Sequence, residues 1–183
     1  MRPNLVLCLG NEVLSDDSFG YKICQMLCGR PEPTPDTDII FSALGGFNLI
    51  DLLKDRNRVL IVDSIISGQS SPGTLHFFEM GYYAPSKNLT CSHQINLPTA
   101  ISLGRQLGCA IPDSIDVLAV EAEDIQTLGE NLTPAVEAAL DPAIARILNW
   151  VSEDWAAEAN YKRRTVLSAM IPPAAKEISD GIT

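Results

Sequence analysis

Short apolar runs alternate along this chain with longer segments of helical spacing, and this alternation limits the folds that it can adopt. The apolar runs are residues 5–9, 38–41, 59–62, 74–78 and 115–120. The helical patterns are residues 17–28, 47–53, 94–107 and 134–151. Short buried strands separated by helices are typical of a parallel sheet that is covered on both faces. The sequence therefore predicts an α/β fold: one three-layer domain with a twisted, mostly parallel sheet of about five strands, flanked by helices on both faces.

The length and composition of the chain fit one globular domain. The chain has 183 residues, of which 46% are hydrophobic, so it can bury a full core. We expect residues 1–151 to form this domain. Residues 152–183 contain a basic run at 162–164 and the pair Pro172-Pro173. We expect this tail to extend the last helix and then to become disordered.

The charge of the chain excludes several classes of partner. The net charge is −10 and the sequence pI is about 4.5. Nucleic acids and anionic membranes both attract basic proteins, so neither is expected as a partner. No apolar run approaches the roughly 18 residues that a membrane-spanning helix needs. No leader with a cleavage site precedes the first strand, so the sequence predicts a cytoplasmic protein without membrane insertion. It leaves the oligomeric state open.

The cysteines indicate buried or free thiols rather than a disulfide framework. Their number is odd, and no two are spaced as CxxC, so a structural zinc site is not expected either. They are Cys8, Cys24, Cys28, Cys91 and Cys109. Cys8 lies in an apolar run and is interpreted as a core residue. Cys91 lies two residues before His93, which leaves open a thiol nucleophile with an adjacent base.

The turn after the first apolar run lacks the glycines of a phosphate-binding loop. Gly10 stands alone where a GxGxxG motif would be needed, so a nucleotide-binding module is a weak hypothesis. The turn instead carries two adjacent acids, Asp16 and Asp17. Either acid, or Ser15, could simply cap the helix that follows. The alternative is that this loop binds a cation.

Two acids and a histidine are expected at one edge of the sheet. Asp17 follows the first strand, Asp63 ends the strand at 59–62, and His93 begins a helix after a loop. In an open α/β sheet, ligands bind at the carboxyl ends of the strands. Carboxylate oxygens and an imidazole nitrogen suit zinc, nickel or iron. His76 alternates as a solvent-facing strand residue and is given no role.

Four segments, taken in order, resemble the endopeptidases that mature nickel-iron hydrogenases. They are residues 10–20 with Gly-Asn and the acidic pair, 59–63, 92–94 and 131–136. The resemblance spans about residues 4–151. Ser18 stands where the family often has glycine, and residues 120–124 lack an expected proline, which puts the shape of a substrate-facing loop in doubt.

The resemblance implies an activity, a partner and a site. Such enzymes remove a C-terminal extension from the hydrogenase large-subunit precursor after nickel insertion. The nickel belongs to the substrate and serves as the recognition signal. By position, Asp17, Asp63 and His93 would contact this nickel and form the catalytic site, and the turn Gly45-Gly46 would lie beside it. Either the metal activates the scissile bond or a water, or an acid acts as general base. A nickel-binding chaperone without hydrolysis is the alternative.

Overall fold

The structure is a computed structural model that describes residues 3–30, 36–43, 45–80 and 97–152. The compact unit ends at Val151. Beyond Ser152 the predicted tail lies outside the described residues, so its form stays a prediction. In the part of the chain that is described, no helix is long and apolar enough to cross a membrane.

One five-stranded sheet forms the middle layer. Its strands are β1 (Asn4–Leu9), β2 (Thr37–Ser42), β3 (Val59–Ile65), β4 (Leu75–Glu79) and β5 (Ile115–Glu121). Their order across the sheet is β2-β1-β3-β5-β4. The first four in this order are parallel, and β4 joins the edge antiparallel to β5. The predicted sheet of about five mostly parallel strands is therefore confirmed.

Helices cover both faces of the sheet. They are α1 (Phe19–Cys28), α2 (Asn48–Leu53), α3 (Leu97–Gln106), α4 (Pro134–Glu137) and α5 (Leu140–Ser152). Successive residues of a strand point to opposite faces, and β1 follows this rule. Leu5, Leu7 and Leu9 pack with α2 and α3, whereas Val6 and Cys8 pack with α1, α4 and α5. Three layers and a buried Cys8 are thus confirmed.

The single helix predicted at residues 134–151 is wrong. Two helices occupy this region, and α4 ends at Glu137 before α5 begins at Leu140. Pro142 lies in the first turn of α5 and has no N–H with which to bond the carbonyl of Ala138. Because proline is tolerated only in the first turn of a helix, the chain must start a new helix there.

A buried ion pair and a tryptophan cover the amino ends of the strands. The guanidinium of Arg58 lies 4.1 Å from the centroid of the Trp150 ring and donates to the Trp150 carbonyl at 3.2 Å. It also lies 3.6 Å from Asp116, which accepts the indole N–H of Trp150 at 2.7 Å. These contacts attach the end of α5 to this edge, which leaves the opposite edge for a ligand.

Candidate active site

The sheet has a topological switch point between β1 and β3. The chain leaves β1 towards β2 on one side and then returns across β1 to form β3 on the other side. Connections that diverge in this way open a crevice at the carboxyl ends of the two strands. Asp17 follows β1 and Asp63 lies in β3. The structure therefore places both predicted acids at this crevice.

Asp63 occupies a position that the sequence prediction described incorrectly. It does not end its strand, because β3 continues to Ile65 and pairs with β5 over this extension. On the other side, the pairing of β3 with β1 stops at Val62. Asp63 is thus the first residue of β3 beyond the β1 ladder. Its side chain is buried, with only 5% of its surface exposed.

Ser64 connects the two acids. Its backbone N–H donates to Oδ1 of Asp63 at 2.8 Å, and its hydroxyl donates to Oδ1 of Asp17 at 3.0 Å. One residue therefore holds a half-buried carboxylate from the loop after β1 and a buried one from β3. Sequence reasoning missed Ser64, although a hydroxyl directly after a buried acid in a strand is a readable signal.

His93 lies outside the described residues, and so does Cys91. Within the described ranges, no three His, Cys, Asp or Glu side chains form a group that could hold a metal ion. The ligand set of Asp17, Asp63 and His93 and the thiol alternative therefore stay predictions.

Asp16 is buried and holds loops together, unlike its half-buried neighbour Asp17. Its carboxylate is fully buried and accepts N–H bonds from Glu123, Asp124 and Thr133 at 2.9, 3.0 and 2.7 Å. The hydroxyl of Thr133 donates a fourth bond at 3.0 Å. Asp16 thus ties the loop after β1 to the loop after β5 and to the start of α4.

The helix caps predicted at Ser15 and Asp16 are wrong. Residues Asp16–Ser18 form a 3-10 turn before α1, and neither Ser15 nor Ser18 makes a side-chain cap hydrogen bond. The Asp16 carboxylate binds amides 107 to 117 residues away instead of those of its own helix. Ser18, which replaces a glycine common in the resembled family, is buried and donates its hydroxyl to the Ser15 carbonyl at 2.7 Å.

Two glycines let the loop after β1 pack tightly against its neighbours. Gly10 has a φ of 138°, and a Cβ there would lie 2.1 Å from the carbonyl oxygen of Asp17. A Cβ on Gly20 would lie 2.0 Å from the carbonyl oxygen of Leu9. Both contacts are with backbone, which cannot yield without moving the turn. These glycines therefore fix the backbone position of Asp17.

A third buried carboxylate lies at the end of β5. Glu121 is 2% exposed and accepts bonds from Ser67 N–H and hydroxyl at 2.7 and 2.6 Å. The Gly68 N–H donates at 2.9 Å, and Nε2 of His76 lies 3.3 Å away. Glu121 thus holds the loop that follows β3. The interpretation of His76 as a solvent-facing residue is wrong, because its half-buried ring turns towards this carboxylate.

The Glu121 carboxylate should make stability depend on acid pH. Burial raises its pKa, but the hydrogen bonds from Ser67, Gly68 and His76 outweigh burial and hold the pKa below the ordinary 4.5. The folded state therefore favours the ionised form. This contribution is fully present above pH 4.5, which is the unfolded value, and is lost as the pH falls through the lower folded pKa.

We expect the free energy of unfolding of Glu121→Gln to fall less between pH 5 and about pH 3 than that of the wild type. Urea unfolding at stepped pH values measures this difference. Glu137→Gln, at an exposed position, is the matched control and should keep the wild-type dependence. Parallel curves for wild type and Glu121→Gln would contradict the assignment.

The sequence comparisons agree on one family. The model of the hydrogenase maturation protease family (HycI) matches residues 22–150, a range that includes Asp63 and begins after Asp17. The chain is 30% identical to the hydrogenase 2 maturation protease of Escherichia coli (strain K12) over 146 residues, which cover 79% of this chain and 87% of that protein. It is 24% identical to the hydrogenase expression/formation protein HoxM of Azotobacter vinelandii, with 82% and 73% covered.

Solved structures show the same fold. The hydrogenase maturating endopeptidase HybD from E. coli superposes with a TM-score of 0.69 at 27% identity, over 82% of this chain and 92% of that one. A hydrogenase 2 maturation peptidase from a Thaumarchaeota archaeon has the same fold, with a TM-score of 0.60 at 19% identity, over 82% and 98%. The family model spans most of the domain, and the acids of the resembled motifs lie at its switch point. This chain therefore belongs to the hydrogenase maturation protease family and is a hydrolase.

Proposed function

We propose that this endopeptidase removes the C-terminal extension of a nickel-iron hydrogenase large-subunit precursor after nickel insertion. It recognises the nickel carried by the precursor through Asp17, Asp63 and His93. The metal is part of the substrate, not a resident cofactor of the protease.

The observation that carries this proposal is the pair of carboxylates at the switch point. Asp17 and Asp63 come from different segments, and Ser64 hydrogen-bonds both of them. Oδ1 of each carboxylate accepts one of these bonds, so Ser64 holds the two acids next to each other. Carboxylate oxygens, together with an imidazole nitrogen, are suitable ligands for nickel.

The same groups supply the chemistry of hydrolysis. A carboxylate at this crevice takes a proton from the attacking water, and the nickel borne by the substrate places the scissile bond against it. The burial of Asp63 limits competing solvent, which strengthens its interaction with a cation. Recognition and catalysis would then use the same side chains.

Intact mass of a large-subunit precursor after incubation with the protein tests this function. The nickel-loaded precursor should lose a C-terminal peptide, and the nickel-free precursor should keep its mass. Cleavage of both forms would contradict recognition through nickel. An unchanged mass of the cognate nickel-loaded precursor would contradict the peptidase proposal and favour the metal-binding chaperone.

A further inference from the structure

Two exposed apolar side chains lie on paired loops next to the candidate active site. Val13 is 47% exposed and Leu128 is 78% exposed. Their loops pair through an antiparallel bridge between Leu14 and Leu128, and the Gly129 N–H donates to the Val13 carbonyl at 3.0 Å. We refer to residues 11–15 and 127–130 together as the rim platform.

The rim platform is held in place by hydrogen bonds from both sides. The Ser15 N–H donates to the Thr127 carbonyl at 3.1 Å, and the Asp16 N–H donates to the Asp124 carbonyl at 2.9 Å. The Asp124 carboxylate in turn accepts the N–H groups of Gln126 and Thr127 at 2.9 and 3.0 Å. Apolar side chains on a loop that is fixed in this way lose little further freedom when a partner covers them.

The platform is continuous with the candidate active site. The Ser18 N–H donates to the Leu14 carbonyl at 2.9 Å, so the turn that carries Asp17 rests directly on the platform. Phe47 and Ile66, which are 59% and 45% exposed, follow β2 and β3 at the same edge of the sheet. A molecule seated on the platform would therefore extend over the crevice.

The two chain segments that carry the platform contain acids and no cations. Residues 10–18 contain three acids and residues 121–133 contain four, and neither segment contains Lys or Arg. Glu12, Glu123 and Glu130 are exposed. Hydrogen bonds from Thr127 and Gln126 keep the pKa of Asp124 below its ordinary value, so it stays ionised as well. A partner with the opposite charge is favoured here.

We propose that the rim platform docks a segment of the hydrogenase precursor that is both apolar and basic. The inference rests on the proposed function and names the chemistry of the substrate surface that the protease recognises besides nickel. Apolar side chains of this segment cover Val13 and Leu128, and its cations face the surrounding acids. A second copy of this chain is the less favoured occupant, because two acidic platforms would repel each other.

The double variant Val13→Ser/Leu128→Ser tests the apolar half of the proposal with the nickel-loaded precursor. We expect KM for cleavage and Kd for binding to rise about tenfold or more, because two apolar contacts are lost, while kcat stays within about twofold. Leu107→Ser is the matched control. It is 67% exposed after α3, near the amino ends of the strands, and should leave KM and Kd unchanged.

Charge reversal tests whether the acids around the platform attract a basic segment of the precursor. Glu130→Lys should raise Kd for the precursor, whereas Asp113→Lys, which is exposed before β5 at the other edge, should have little effect. If KM and Kd of the double variant equal those of the wild type, the rim platform does not dock the precursor. A wild-type dimer that the double variant dissociates would also overturn the proposal, since the platform would then join two copies.

The experiments distinguish failure of the peptidase assignment from failure of the docking proposal. If the wild type does not cleave the precursor, the peptidase assignment fails, but the binding measurements still decide the platform. Weaker binding by the double variant and normal binding by Leu107→Ser would then support docking of the precursor without proteolysis.

Discussion

Asp63→Asn is expected to reduce cleavage of the nickel-loaded precursor by a factor on the order of 10³, with the fold unchanged. The asparagine carbonyl can still accept the Ser64 N–H bond that Asp63 accepts at 2.8 Å, so the end of β3 keeps its local contact. The substitution removes the negative charge, and with it the proton acceptor and the anionic ligand that the proposed function assigns to Asp63. Catalysis is lost while packing is kept.

Single-turnover cleavage followed by mass spectrometry, together with circular dichroism of each variant, checks this expectation. Asp17→Asn should behave in the same way, because Ser64 joins the two carboxylates. Asp113→Asn at the other edge, and Cys91→Ser, should cleave like the wild type. Normal cleavage by Asp63→Asn would falsify the site, and inactive Cys91→Ser would restore the thiol mechanism.

Asp16→Ala should lower the free energy of unfolding by about 3–5 kcal/mol, the largest stability effect expected in this loop. The substitution leaves three loop N–H groups and the Thr133 hydroxyl without their common acceptor. For a domain of this size, the corresponding fall in Tm is roughly 6–20 °C.

Urea unfolding and calorimetry measure this loss of stability. Glu12→Ala, an exposed acid in the same loop, should change the free energy of unfolding by about 0.5 kcal/mol or less. Asp17→Ala should cost less than Asp16→Ala. Equal losses for Asp16→Ala and Asp17→Ala would contradict the division of the acidic pair into a structural and a functional member.

The layers of the fold could be predicted because their signal is local. The continuous buried run of β1 and the apolar stripe of α1 are both contained in short windows of sequence, and the predicted strands and helices lie within a few residues of the observed ones. The break between α4 and α5 was missed although Pro142 marks it, because the apolar pattern continues across the break. The placement of Asp17 and Asp63 followed from the rule for strand ends.

The supporting contacts of the site could not be predicted because they join distant segments. Asp16 binds amides more than 100 residues away, and Glu121 binds a loop 53 to 54 residues before it. Adjacent acids such as Asp16 and Asp17 have the same local signal, so only the tertiary fold separates the buried one from its half-buried neighbour. The hydroxyl of Ser64 next to Asp63 is visible in the sequence, but its bond to Asp17, 47 residues away, is seen only in the folded structure.

Within the described residues, charge is distributed unevenly along the strand axis. Cations lie in the last turn of, or after, the helices that run back to the amino edge, namely Arg30, Lys54, Arg56, Arg58 and Arg105. Acids such as Asp38 and Asp116 lie among them, so that edge is close to balanced. At the carboxyl edge, residues 10–18 and 121–133 contain acids but no Lys or Arg. A basic macromolecule is therefore attracted to the carboxyl edge of the described domain, and the association rate constant should decrease as ionic strength increases.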